Sequence, residues 1–360
     1  MRTVTITDVT LRDGNHAAAH QLGVKEVELY CTALDAAEVP IVEVGHGNGL
    51  GASSLQLGES KDSDEKVLKA ARACLKKSKL GIHVIPGFAT IEKDLRRALD
   101  IGVDVVRVAS HCTEADITER HIRFVREAGK TAFGVLMMSH MISPEELLEQ
   151  SRKMENYGAE AVIFMDSSGN FLPDAVADRV KILVNSLNIP VGFHAHNNLG
   201  MGIANSVAAL SAGASYLDGS ARGYGAGAGN AQIEVLLAVL QRMGHPISID
   251  LLKLLDAVDA AEKAFIPQTP VISSASLVSG LAGVFSGFAL PVKRIATQFN
   301  VDARQIFFEL GRRKVVGGQE DLILEVASEL AQQQKQQQSQ NQLQQQTQQQ
   351  NQENNYVTRK

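Results

Sequence analysis

The run IPVGFHAH, residues 189–196, ends in two histidines separated by one residue, His194 and His196. Side chains along a strand alternate between faces, so this spacing turns both imidazoles to the same side. The pair is either a two-point clamp for a divalent metal or, more plainly, two hydrogen-bonded polar residues lining a loop. Asp13, which follows a second β-rich run, TITDV at 5–9, weighs toward the clamp. A two-histidine, one-carboxylate set leaves coordination positions open for a substrate. Carboxylate and imidazole ligands suit Mn2+, Mg2+, Co2+ or Fe2+, with Zn2+ a poorer match for want of thiolates. Arg12 adjoins Asp13, and its planar fork fits a carboxylate or a developing enolate oxygen; the alternative is a salt bridge beside the strand end. His16, on the turn just beyond, has an ordinary pKa suited to general acid/base work. For His20, four residues later, a plain loop histidine is the preferred reading.

These residues need a scaffold that brings separate strand ends together. Short β-rich runs recur at regular intervals: TVTITDV, IVEV, KLGIHVIP, VDVVRVAS, TAFGVLMM, AEAVIFMD, IPVGFHAH and ASYLDGS. Segments with apolar residues every three or four positions lie between them, among them DEKVLKAARACLKK and PDAVADRVKILVNSL. Eight strands alternating with helices predict an α/β fold with a parallel sheet, and the number eight favours a closed (β/α)8 TIM barrel. An open doubly wound sheet is the competing architecture, but no G-x-G-x-x-G separates the first strand from the first helix. The run GYGAGAGN at 223–230 follows the last strand instead.

In a barrel the segments after the strands share one face. They carry Arg12, Asp13, Asn15 and His16 after strand one; Glu43, His46 and Asn48 after strand two; His111 and His140 after strands four and five. Asp166, Ser167 and Ser168 follow strand six, His194, His196, Asn197 and Asn198 strand seven, and Asp218, Arg222 and Tyr224 strand eight. Seven of the ten histidines, counting His20, lie in such segments, an enrichment that argues for a site.

After Gln232 the pattern becomes helical, and the break IPQTPV at 266–271 marks the approach to a second unit. The expected division is a catalytic barrel over 1–262, a small helical C-terminal domain over 263–331 and a Gln/Asn-rich tail over 332–360. The tail composition cannot bury enough apolar surface to offset chain entropy and is expected to be disordered. The composition as a whole, 44% hydrophobic and 21% charged over 360 residues, is that of an ordinary globular protein. A net charge of -5 without a basic, aromatic-interleaved stripe argues against nucleic acid as a partner. Three scattered cysteines suit free thiols in a reducing compartment, and no run is long and apolar enough for a membrane span; a cytoplasmic location is the expectation.

The stretches DVTLRDGNHAAAHQ, IVEVGHGNGLGASS, VVRVASHCTEADI, LMMSHMI, HAHNNLGMGIANS, GAGAGNAQIEV and VGGQED together resemble the 4-hydroxy-2-oxovalerate aldolases. These are pyruvate-specific class II aldolases of the 3-hydroxy-3-methylglutaryl-CoA lyase superfamily, and the likeness runs from about residue 3 to 330. It implies a (β/α)8 barrel with a helical C-terminal domain and Mn2+ as the usual metal, with Mg2+ or Co2+ as alternatives. Residue by residue it implies metal ligation by Asp13, His194 and His196, substrate binding by Arg12 and His194, and His16 as base. Asn230 resembles a further metal ligand of the lyase branch, and Ser167 a residue near the bound pyruvyl group. In the implied reaction His16 removes the proton from the 4-hydroxyl of a 4-hydroxy-2-oxo acid, the bond between carbons 3 and 4 breaks, and Arg12 and the metal stabilise the pyruvate enolate as an aldehyde leaves. An acylating acetaldehyde dehydrogenase that takes the aldehyde is the implied partner.

Two departures stand out. Phe285, in Gly283-Val284-Phe285-Ser286, replaces a tyrosine whose hydroxyl orients the substrate in the family, while keeping the ring as a substrate-binding surface. FALPVKR at 288–294 replaces a histidine-containing helical segment, and Pro291 is expected to disturb that helix. Two rival functions are a Claisen-type lyase or synthase acting on an acyl-CoA, and a low-activity scaffold subunit for an aldehyde dehydrogenase.

Overall fold

The computed structural model describes residues 4–357. Eight parallel strands close into a barrel in chain order: β1 Thr5–Asp8, β2 Ile41–Glu43, β3 Lys79–Val84, β4 Val105–His111, β5 Thr131–Met137, β6 Ala161–Asp166, β7 Val191–Ala195 and β8 Tyr216–Gly219. The sheet closes through β1 and β8, where Thr7 pairs with Asp218. Helices follow the strands and cover the barrel outside; the helix Val24–Ala36, for example, buries Val27, Tyr30, Cys31 and Leu34 on one face.

The barrel interior is layered. Ile41, Val105, Phe133, Ala161 and Ile163 belong to an apolar plug. Two residues further along the strands, and therefore on the same interior face, come Glu43, His83, Arg107, His194 and Asp218. All five are at most 2% exposed. His83 and Arg107 are paired in register on neighbouring strands, which sets their side chains next to each other. A charged floor thus lies over an apolar plug, and the strand ends rise above it.

A second core, formed by residues such as Val284, Phe288, Ile306, Phe307, Leu310, Ile323 and Val326, belongs to the C-terminal helices. Pro291 does not disturb the helix Ala289–Phe299: it is the third residue, within the first turn, where the backbone N–H lacks an intrahelical acceptor in any case. The final helix runs Asp321–Val357 through the Gln-rich stretch for which composition predicts disorder. Gln is a good helix former, and neither Gly nor Pro interrupts the run. Leu330 is the last apolar residue packed against the second core, and the side chains from 335 to 349 are exposed.

Candidate metal centre and active site

Strand β1 delivers Arg12 and Asp13 through a tight turn in which the Arg12 and Asp13 N–H groups both donate to Val9 O. Asn15 holds this turn: its amide donates to Leu11 O and Gly45 O, and its Oδ1 accepts from Leu22 N. The short helix Gly14–Ala17 then presents His16. From β7 come His194 and His196, and the Gly-rich segment after β8 closes over Asp13. Ala226 N–H donates to Asp13 Oδ2 at 3.2 Å. A Cβ on Gly225 would lie 2.5 Å from that same oxygen, so only glycine allows the approach. GYGAGAGN is therefore a lid on a carboxylate, not a phosphate cradle.

Asp13, His194 and His196 each offer a ligand atom within 4.8 Å of the others, and all three are buried. His194 Nδ1 lies 3.0 Å from Asp218 Oδ2. The carboxylate accepts, so that nitrogen carries the proton and Nε2 keeps its lone pair. His194 Nε2 is 3.4 Å from His196 Nε2. Burial pushes the His196 imidazole down to about 4 against the pull of Asp13, which leaves it neutral and able to ligate. Burial opposes ionisation of Asp13, yet Arg12 and the surrounding imidazoles hold its carboxyl well below the usual carboxylate range. Two imidazoles and one carboxylate, converging in a buried pocket, fit a divalent cation with hard or borderline character. Asn230 Nδ2 donates to Asp13 Oδ2 at 2.8 Å, while its buried Oδ1 has no hydrogen-bond partner. The predicted set of Asp13, His194, His196 and Asn230 is thus brought together.

Arg12 is 4% exposed and faces two carboxylates: Nε meets Glu43 Oε1 and Nη1 meets Asp13 Oδ1 at 2.6 Å. Its Nη2 is buried without a partner, a donor left over for an anionic ligand. The salt-bridge reading and the substrate-binding reading of Arg12 are therefore compatible, since different nitrogens serve them. His16 stands edge-on to Phe285, ring centroids 6.3 Å apart. Burial, assisted by the Arg12 charge and opposed by Asp13, pushes its imidazole down to about 4, so it is a free base at neutral pH. Ser167 Oγ accepts from Met138 N at 3.0 Å and retains its own proton to donate.

Phe285 borders two cavities. One, of about 310 Å³, is lined by His16, His20, Leu57, Pro291 and Arg294; the other, of about 250 Å³, by Ile85, Pro86, His111, Met137 and Val316. Asn48, Leu57, Phe285 and Glu320 border both.

Several strand-end residues have other roles. His46 accepts from Asn48 N through Nδ1 and stacks on His20 at 3.7 Å. His140 joins Gly283 O to Ser168 Oγ. Arg222 turns outward to Glu234, Asp259 and Glu262. Conversely, the reading by strand ends missed His83 and Arg107, which lie inside strands. Arg107 Nη2 contacts Asp218 Oδ2 at 2.5 Å, and its Nη1 is 2.9 Å from Glu43 Oε2, close enough for an ion pair though not aligned as a hydrogen bond. His83 is neutral, pushed by burial and by Arg12 to about 3, and its Nδ1 has no partner. A cation at the centre of the apolar stretch VVRVA, residues 105–109, was the available signal, because a charge inside a buried strand must be paired.

Residues 3–260 match the HMGL-like family model, and residues 270–332 match the DmpG-like communication domain. The chain belongs to the HMGL-like family. It is 64% identical over 327 residues to a 4-hydroxy-2-oxovalerate aldolase of Spirochaeta aurantia, a match covering 91% of this chain and 96% of that protein. A 4-hydroxy-2-oxovalerate aldolase of Pectobacterium atrosepticum is 61% identical over 329 residues, covering 91% and 96%. These relatives place this HMGL-like protein among the carbon–carbon lyases. In fold it is similar to the N-terminal domain of a putative aldolase from Bacteroides vulgatus, with TM-score 0.69 and 23% identity over 82% of this chain and 98% of that one. It is also similar to the carboxyl transferase domain of Rhizobium etli pyruvate carboxylase with pyruvate and biocytin, with TM-score 0.77 and 14% identity over 91% and 60%. Among the described residues no helix is long and apolar enough to cross a membrane.

Proposed function

We propose that this protein is a divalent-metal-dependent aldolase that cleaves 4-hydroxy-2-oxovalerate, or a close 4-hydroxy-2-oxo acid, to pyruvate and an aldehyde. The observation that carries this reading is the convergence of Asp13, His194 and His196 beside an arginine with one unpaired buried nitrogen. In the linked set Arg12, Asp13, Glu43, Arg107 and Asp218, two guanidinium cations face three carboxyl groups. That imbalance favours a bound cation, and a cation together with Arg12 favours an anionic substrate.

A divalent ion held by Asp13, His194 and His196 supplies Lewis-acid polarisation of a 2-oxo group; Mn2+ is the proposed ion. Arg12 Nη2 donates to the oxygen where charge develops as the bond between carbons 3 and 4 breaks. Glu43 and Asp13 hold the guanidinium on its other nitrogens, so this donor is oriented before substrate arrives. His16, unprotonated at neutral pH, takes the proton of the 4-hydroxyl. Phe285 excludes water from the neighbouring volume and offers a ring, without a hydroxyl, to the aldehyde portion. Ser167 donates to the pyruvyl half.

The two separate apolar cores support a barrel and a helical C-terminal domain as distinct units, with the proposed boundary moved from 262 to beyond Ile266, because the helix Leu251–Phe265 runs through 262 and Ile266 belongs to the barrel core. An acylating acetaldehyde dehydrogenase is the proposed partner of the C-terminal helices. The match to the communication domain supports it, as do exposed Leu277, Leu281, Leu290 and Phe308. Three unpaired cysteines support the cytoplasm as the compartment. The deciding experiment is Mn2+-dependent pyruvate release from a panel of 4-hydroxy-2-oxo acids. No release from any member, with metal bound, would reject the proposal.

A further inference from the structure

Below the proposed ligands the floor of the barrel forms one connected chain of contacts. Its order is His194 to Asp218, Asp218 to Arg107, Arg107 to Glu43 and Glu43 to Arg12. Each of these residues is at most 4% exposed, and each lies on or just beyond a different strand. One atom occupies the decisive position. Asp218 Oδ2 is 3.0 Å from His194 Nδ1 and 2.5 Å from Arg107 Nη2, so a single oxygen is shared between a metal-facing imidazole and a buried cation. A neutral imidazole has one proton and two nitrogens. With Nδ1–H committed to Asp218, the lone pair must sit on Nε2, the nitrogen that faces His196.

We propose that Asp218, braced by Arg107, is a positioning residue that fixes the tautomer and ring orientation of His194 and so sets the affinity of the site for a divalent cation. His196 provides the internal contrast, because its Nδ1 is buried without any partner. Of the two histidines, only His194 is held from behind. The protein therefore concentrates its support on one imidazole, and that imidazole shares its support with Arg12 through Glu43. Arg107 cannot be replaced by a single point charge, since its fork reaches carboxylates on two strands at once.

This inference rests on the metal reading above, and the test separates the two. Asp218→Asn is nearly isosteric, and its amide oxygen at the shared position can still accept from both neighbours, but that oxygen is neutral, so it no longer raises the basicity of His194 or pairs with the Arg107 charge. Binding of Mn2+ is measured by the free-ion signal in electron paramagnetic resonance, alongside the melting temperature of the metal-free protein. Histidine-selective 15N NMR of the unmodified metal-free protein reports which nitrogen of His194 carries the proton, with His194→Gln giving the assignment. The expected results are a protonated Nδ1 in wild type and a 10- to 100-fold rise in Mn2+ Kd in Asp218→Asn, the usual size for loss of a carboxylate behind a ligating histidine. Wild-type affinity in a folded Asp218→Asn, or a protonated Nε2 on His194 in the unmodified protein, would overturn the positioning role. The NMR result decides the matter even if the variant fails to fold. Failure of the unmodified protein to bind Mn2+ at all would instead sink the metal reading.

Discussion

Two sides of the barrel mouth are held in different ways. On the metal side, Arg12, Asp13, Glu43, Arg107, Asp218 and His194 are joined by charged contacts of 2.5 to 3.0 Å among buried groups. Beside it, the segment carrying Phe285 is joined to the barrel by neutral bonds: Ser286 N to Ser167 O at 2.9 Å, Asn198 Nδ2 to Ser286 Oγ at 3.2 Å, and His140 Nε2 with Gly283 O at 3.0 Å. Removing one partner from a buried charged pair costs about 3–5 kcal/mol, whereas a neutral hydrogen bond contributes about 0.5–1.5 kcal/mol. The charged side cannot change one residue at a time without stranding a charge. The neutral side can, and the departure at Phe285 falls there.

The largest effect is expected from breaking the metal side at its centre. His194→Ala and Asp13→Ala should each lose most bound metal by elemental analysis, together with pyruvate release. Full retention of metal in both would remove the site. Next come the two groups that flank it. Arg12→Ala should abolish both cleavage and exchange of the pyruvate methyl protons, because each passes through the same enolate. His16→Ala should slow cleavage by roughly 10²–10⁴-fold, the usual contribution of a general base, while sparing exchange. Equal losses in the two assays from His16→Ala would contradict its assignment as base.

A third test contrasts two equally buried carboxyls. Glu43 lies between Arg107 and Arg12, which overcome burial and hold it at about 2. Asp8 has only neutral donors, Tyr30 and Thr10, and burial pushes it up to about 7. The signs are opposite. Glu43 contributes stability above its unfolded pKa near 4.5, lost as pH falls toward about 2; Asp8 contributes stability below about 4, lost as pH rises toward about 7. Denaturant unfolding between pH 4.5 and 7 should therefore show a falling contribution from Asp8 that Asp8→Asn flattens. An unchanged slope in Asp8→Asn would show that its carboxyl is already ionised across that range.

What the sequence discloses follows the same divide. Asp13, His194 and His196 are legible because a strand period of two and a strand-end location are local properties. The eight-fold alternation is legible for the same reason. Arg107 and His83 are not, because nothing local shows that β3 and β4 bring them side by side in register over the floor. The roles of Glu43 and Asp218 as the two anchors of Arg107 depend on closure of the barrel. His46, His140 and Arg222 share strand-end locations with the site residues, and only tertiary contacts separate struts from chemistry. Pro291 reads as a helix breaker because sequence patterns rarely resolve where a helix begins, and here the start at Ala289 puts the proline in the first turn.

On the neutral side, Phe285→Tyr should restore a preference between enantiomers of a 4-hydroxy-2-oxo acid that the wild type lacks. One added hydrogen bond of about 0.5–1.5 kcal/mol corresponds to roughly a 2- to 10-fold bias in kcat/KM. Strong stereopreference in the wild type, unchanged in the variant, would assign the discrimination to another group.

The smallest effect is expected furthest from either side. The helix Asp321–Val357 is anchored to the second core through Ile323, Val326, Ala327 and Leu330, and Arg313 adds ion pairs to Glu325 and Glu329. All of these precede Ala331. From 335 to 349 the side chains are exposed all round, so this part of the helix has no face to bury and depends on the intrinsic propensity of Gln alone. Truncation after Ala331 should therefore leave turnover, Mn2+ affinity and melting temperature unchanged. Circular dichroism tests the remaining contrast between helix and composition. If the Gln-rich stretch is helical in solution, truncation removes its helical signal; if the polar composition prevails, the signal lost is that of an unstructured peptide. A large loss of turnover at unchanged melting temperature would show that the tail takes part in the chemistry of the mouth, and that the division of labour between its two sides is incomplete.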